Sequence, residues 1–223
     1  MKYGVHPSEE LVEIFSRKPY QGADPFKSKV VVIGNDANYS PDISSHNFFR
    51  NIIDYHEDGV KFWQTYGVHH PFLLDDYPFD KRKGGVRYHS NFQKMGFEST
   101  FADGFSFVEL LAVPTIGNTG SDIDAFFQLL DREHLEWLES VVFEGSKNFV
   151  LVNQTLAKNI VKISKRHGAL KNLAEVLKGS ALGEMAFQSD SVVIYNGYSF
   201  SHSVSNEYLS SLALQIRKSI FEE

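Results

Sequence analysis

The sequence predicts an α/β fold with three layers, α/β/α, built on a central, mostly parallel sheet of four strands. Four apolar runs carry this expectation, at residues 30–33, 105–113, 149–152 and 192–195. Each is short and apolar without polar alternation, as strands buried on both faces are. Helical patterns separate them, and strand–helix alternation is the signature of a parallel sheet covered on both sides. There is no internal repeat or low-complexity segment, so residues 1–223 read as one domain.

The helical patterns follow in order. Glu9–Arg17 is an amphipathic opener. Shorter patterns cover 47–55 and 88–95. Two more, 123–130 and 133–142, follow the second apolar run. Gln154–His167 and 169–178 follow the third, and Asn206–Phe221 closes the chain. Ser205, ahead of Asn206 and Glu207, has the chemistry of an N-cap with acidic support in the first turn.

Composition narrows the function. The chain has no Cys, which excludes disulfides, cysteine zinc sites and iron–sulfur clusters. The N-terminal stretch lacks an apolar core of signal length, and no window approaches the roughly 18 apolar residues of a membrane span. A cytoplasmic protein with no membrane partner is expected. The net charge of −6 argues against coating nucleic acid by charge alone. Basic residues do cluster at Lys81, Arg82, Lys83 and Arg87, and at Lys158, Lys162, Lys165 and Arg166. The second set has helical spacing beside Ile160, Val161 and Ile163, which fits a solvated helix face. Nineteen Phe and ten Tyr predict a core filled by aromatic rings, with some rings free to stack on a ligand.

In open parallel sheets, ligands bind outside the carboxyl ends of the strands. The loops there are polar. Gly34 ends the first run and lets the chain turn, and Asn35, Asp36, Asn38 and Tyr39 follow it. Pro114 to Asn118 follow the second run, Asn153-Gln154-Thr155 the third, and the loop containing His202 and Ser203 the fourth. A carboxylate at Asp36 can orient water or stabilise a developing cation; its structural alternative is an Asx turn. His202 can stabilise a developing anion. The adjacent pair His69-His70 suggests no shared metal site, because neighbouring side chains in a regular element diverge. No Walker loop, dinucleotide fingerprint, zinc-protease helix or nucleophile elbow is present.

The order of these loops resembles the uracil-DNA glycosylase superfamily, over residues 30–218. The stretch from Val30 to Tyr39 is similar to the strand and water-activating loop that the family writes Gly-x-Asp-Pro-Tyr or Gly-x-Asn-Pro. Asn47-Phe48-Phe49-Arg50 resembles the segment whose Phe stacks on a flipped base. The stretch from Phe107 to Pro114 resembles the second strand, Asn-x-x-x-x-Pro. Leu151 to Ala157 resembles the Leu-Gly-Lys-x-Ala turn, and His202-Ser203-Val204-Ser205 the His-Pro-Ser motif.

The resemblance implies a uracil-DNA glycosylase-like fold and DNA base excision without a cofactor or metal. The partner would be single-stranded or damaged duplex DNA, and the protein a monomer. Asp36 and His202 would be catalytic. Gly34, Asn35, Tyr39, Phe48 or Phe49, Glu109, Asn153 and Ser203 would bind substrate. The departures are informative. Ala37 and Ser203 stand where the family has Pro, and Glu109 stands where it has the base-reading Asn. An ionised Glu offers acceptors only, so it suits a base edge presenting donors unless burial protonates it. The substrate base is therefore left open and need not be uracil. The alternative is a catalytically inactive nucleic-acid or nucleotide-binding protein on the same fold.

Overall fold

The computed structural model describes residues 2–81, 84–145 and 148–221. Arg82 and Lys83 of the first basic cluster lie outside the described residues. The described strands are β1 (Gly4–Val5), β2 (Tyr20–Gly22), β3 (Val30–Gly34), β4 (Phe105–Glu109), β5 (Thr115–Ile116), β6 (Asn148–Asn153), β7 (Glu184–Gln188) and β8 (Val192–Gly197). The helices are α1 (Glu9–Arg17), α2 (Phe49–Glu57), α3 (Gly59–Tyr66), α4 (Gly84–Gln93), α5 (Ile123–Gln128), α6 (Arg132–Glu144), α7 (Gln154–His167), α8 (Lys171–Leu177) and α9 (Asn206–Phe221).

The main sheet has six strands in the order β2-β4-β3-β6-β8-β7. Its inner four are the four apolar runs, and they pair in parallel. The expected sheet of four is thus the interior of a larger one, to which β2 and β7 add antiparallel edges. Neither edge carries an apolar run: β2 has three residues, and β7 is exposed along most of its length. The second run also leaves the sheet early, at Glu109. The Leu110 and Leu111 N–H groups donate instead to the Gly34 and Asn35 carbonyls, following the neighbouring loop.

Alternation along each inner strand feeds two cores. Val31, Ile33, Val108, Val150 and Val152 pack against α5, α6, α7 and α8. Val30, Val32, Phe105, Phe107 and Leu151 face the other way, against α3, α4 and α9. A satellite core joins α1 and α2 with Tyr39, Phe48 and Phe72. Each large side chain so buried contributes about 1.5–3 kcal/mol. Lys158, Lys162, Lys165 and Arg166 occupy the exposed side of α7, as the periodicity predicts. Among the described residues, no helix is long and apolar enough to cross a membrane.

In chain order the four parallel strands lie 2-1-3-4, so the direction of winding reverses between β3 and β6. A crevice opens at such a reversal. Gly34 pairs with Glu109, and Asn153 with Gly197. The β3–β6 register, carried two residues on, aligns Gly34 with Asn153. The carboxyl edge therefore presents Glu109, Gly34, Asn153 and Gly197 in one row.

Candidate functional site

Asp36 stands at this edge, in a loop fastened to the loop after β4. Thr115 N–H donates to the Ala37 carbonyl and Tyr39 N–H to the Thr115 carbonyl, both at 2.9 Å. Asn38 Nδ2 donates to Thr115 Oγ1 and to the Gly117 carbonyl, each at 3.0 Å. The Asp36 carboxyl is cradled by hydroxyls. Tyr3 donates to Oδ2 at 2.9 Å and Thr119 to Oδ1 at 3.1 Å, and the Thr115 hydroxyl also donates to Oδ2. Tyr3 arrives from the strand pair β1–β5, whose crossing is tight at Gly117. Gly117 has φ +82, and a Cβ there would lie 3.0 Å from the Tyr3 Cα. Burial, with the Asp36 charge second, pushes the Tyr3 phenol well above its ordinary pKa, so it remains a donor.

Glu109 ends β4 beside Gly34. A Cβ on Gly34 would overlap the Glu109 carboxyl, lying 2.7 Å from its Cδ, so glycine there admits the carboxyl over the strand end. The carboxyl opens on the cavity but is packed round by protein. Burial first, and the Asp36 charge second, push it from 4.5 up to about 8. At neutral pH it is a carboxylic acid, with one donor and one acceptor. Tyr39, Tyr55 and Tyr88 stand close enough for Glu109 to raise each phenol pKa, although burial is the larger cause in all three.

One cavity of about 690 Å³ joins these groups. Gly34, Asn35, Asp36, Tyr39, Glu109, Asn153 and His202 all line it, as the loop reading expects. Asn153 also caps α7, its Oδ1 accepting from the Thr155 and Leu156 N–H groups at 3.0 Å. Asn35 Oδ1 accepts from Asn159 Nδ2 at 2.9 Å. His202 is exposed, and Asn91 Nδ2 fastens its loop through the Phe200 and His202 carbonyls.

Phe48, Phe49 and Ser203 are not among the described residues lining the cavity. Phe48 is 6% exposed in the satellite core and packs edge-on against Tyr77. The aromatic wall comes instead from Tyr39, Tyr55, Phe72, Tyr88 and Phe107. Gln21, His70 and His89 line it as well. Tyr39 apart, the sequence offers little signal for these residues. Most sit on helices or a short edge strand, where their spacing reads as core.

Three of the histidines, His69, His70 and His89, cluster together. His70 and His89 stack with centroids 3.5 Å apart, and His69 Nε2 lies 3.1 Å from His89 Nδ1. Burial pushes His89 down to about 3 and lowers His69 and His70 strongly, so all three are neutral. Among the described residues, no group of three or more His, Asp or Glu is placed to hold a metal ion.

Comparison with protein-family models, curated proteins and solved structures finds no match to this chain.

Proposed function

We propose that this chain is a DNA base-excision glycosylase, hydrolysing the N-glycosidic bond of a base flipped into the cavity. The carrying observation is the contrast between two carboxyls facing one aromatic-walled cavity. Asp36 is held by hydroxyls. Glu109 is packed round by protein at the cavity wall and protonated. Carboxyls in such different surroundings take different roles in one site.

No Lys or Arg is among the described lining residues, so no side-chain cation there neutralises Asp36. Its charge meets an opposite charge when the sugar becomes cationic, in the transition state rather than the ground state. Water attacks the sugar C1′ as the C1′–N bond breaks. The departing base takes the bonding electron pair, and the proton that water loses ends on the base or solvent. Asp36 orients that water and stabilises the cation. Glu109 donates to a base carbonyl and accepts from the adjacent N–H, as an amide does. Protonation returns bases with a carbonyl beside an N–H, uracil among them, to the candidate substrates. Tyr88, Phe107 and Phe72 supply the stacking faces, and His202 at the rim supports the charge of the departing base.

The test is release of uracil, hypoxanthine and xanthine from single-stranded and mismatched DNA. Asp36→Asn is expected to lower release about 100- to 1000-fold with DNA binding nearly unchanged. No release of any base by the wild type, with DNA still bound, would refute the enzyme and favour the binding-protein reading.

A further inference from the structure

Among the described residues, Gln21 is the one cavity group that the proposed chemistry leaves unused and whose own needs the fold does not meet. It sits on the edge strand β2, opposite Phe107, and is 2% exposed. It lines the cavity, yet its Nε2 has no hydrogen-bond partner. Buried polar groups are almost always paired, and an orphan among them calls for a reason. The planar amide turns about its last bond, so either its donor or its acceptor end can face the cavity.

Register relates Gln21 to Glu109. Phe107 and Glu109 are two residues apart and share one face of β4. Gln21 is thus the diagonal cross-strand neighbour of Glu109, about 7–8 Å away at the backbone. Two long side chains so placed can hold two edges of one flat ring. The Glu109 acid matches one carbonyl–N–H edge, and the Gln21 amide matches a second.

We propose that Gln21 is a specificity-determining residue that reads a second polar edge of the bound base, so the cavity prefers a base with two carbonyl–N–H edges to one with a single such edge. This rests on the base-binding reading of the cavity.

Hypoxanthine and xanthine make the test, since they share one such edge and xanthine adds the second. Calorimetric titration of each free base into the full chain at about pH 6, below the Glu109 value of about 8, reads the preference. The wild type is expected to bind xanthine about fivefold more tightly, the worth of about one hydrogen bond. Gln21→Met is expected to bind both bases with the weaker, hypoxanthine-like affinity. Its unliganded melting temperature should equal or exceed the wild-type value, because an unpartnered buried amide has been removed. A fall in melting temperature would mean that Gln21 holds the fold, and would overturn the proposal. So would a xanthine preference that survives in Gln21→Met, or its absence in the wild type, each leaving the base-binding reading intact. A wild type that binds neither free base and releases none from DNA overturns that reading and the role of Gln21 with it.

Discussion

Glu109→Gln separates burial of the carboxyl from its shape. In the folded chain the Glu109 carboxyl titrates near 8, against 4.5 when unfolded. Between those values the folded state holds a proton that the unfolded state has lost. Stability therefore falls as pH rises, by about 1.4 kcal/mol for each pH unit. The contribution is fully present below 4.5 and lost as pH passes 8. The whole span is worth about 5 kcal/mol, an upper value because cavity water screens the charge. From pH 5 to pH 8 the loss is about 3.5 kcal/mol by the same relation. Glutamine keeps the shape and stays neutral, so this slope should vanish. Urea denaturation of both proteins across that range measures it, and the difference between the two curves cancels every other titrating group. Base release should track it: wild-type release falls as pH passes about 8, and Glu109→Gln release holds level. Parallel stability curves for the two proteins would refute a protonated Glu109.

Tyr3→Phe removes one donor from Asp36; about a tenfold fall in kcat with unchanged KM is expected, and a stability loss of about 1 kcal/mol. An equal change in KM would mean that Tyr3 acts on binding rather than on the transition state. Gly34→Ala should destabilise by about 1–3 kcal/mol through overlap with the Glu109 carboxyl, and by clearly less in a Glu109→Ala background. Additive losses in that cycle would place the strain elsewhere. His56 and His89 are both held near 3, so the unfolded chain takes up protons first and stability drops as pH falls below 6.5. His89→Gln should flatten that acid limb in thermal melts between pH 7 and pH 4, and an unchanged limb would assign it to other groups.

The interior of the fold was legible because parallel strands buried on both faces must be apolar throughout. The runs beginning at Val30, Phe105, Phe149 and Val192 locate them directly. The edge strands carry no such requirement. Tyr20–Gly22 is short, and Glu184–Gln188 faces water, so neither stands out from a loop. Asp36, Glu109, Asn153 and His202 could be assigned to one cleft because each ends or follows an inner strand. Tyr55, Tyr88 and Gln21 reach the same cavity from helices and an edge strand, where direction depends on packing. Phe48 illustrates the converse. Its neighbours in sequence resemble a base-stacking segment, while its ring completes the satellite core beside Tyr77. The charge state of Glu109 lay beyond sequence reading, since it depends on how densely the protein surrounds one carboxyl.

The hydroxyl cradle of Asp36 also bears on how the molecule assembles. Tyr3, Thr115 and Thr119 meet Asp36 across 33, 79 and 83 residues of chain. Each closure carries a loop entropy that grows slowly with length, and chains rich in such non-local contacts fold slowly. The cradle closes only when β3 and β4 are in parallel register and the segment bearing Tyr3 is docked beside them. An intact cradle at Asp36 thus reports that the Tyr3 segment and the loops after β3 and β4 are all in place, where aromatic burial reports only collapse. During refolding of a Trp137→Phe variant, Trp63 fluorescence should recover no later than the cradle does.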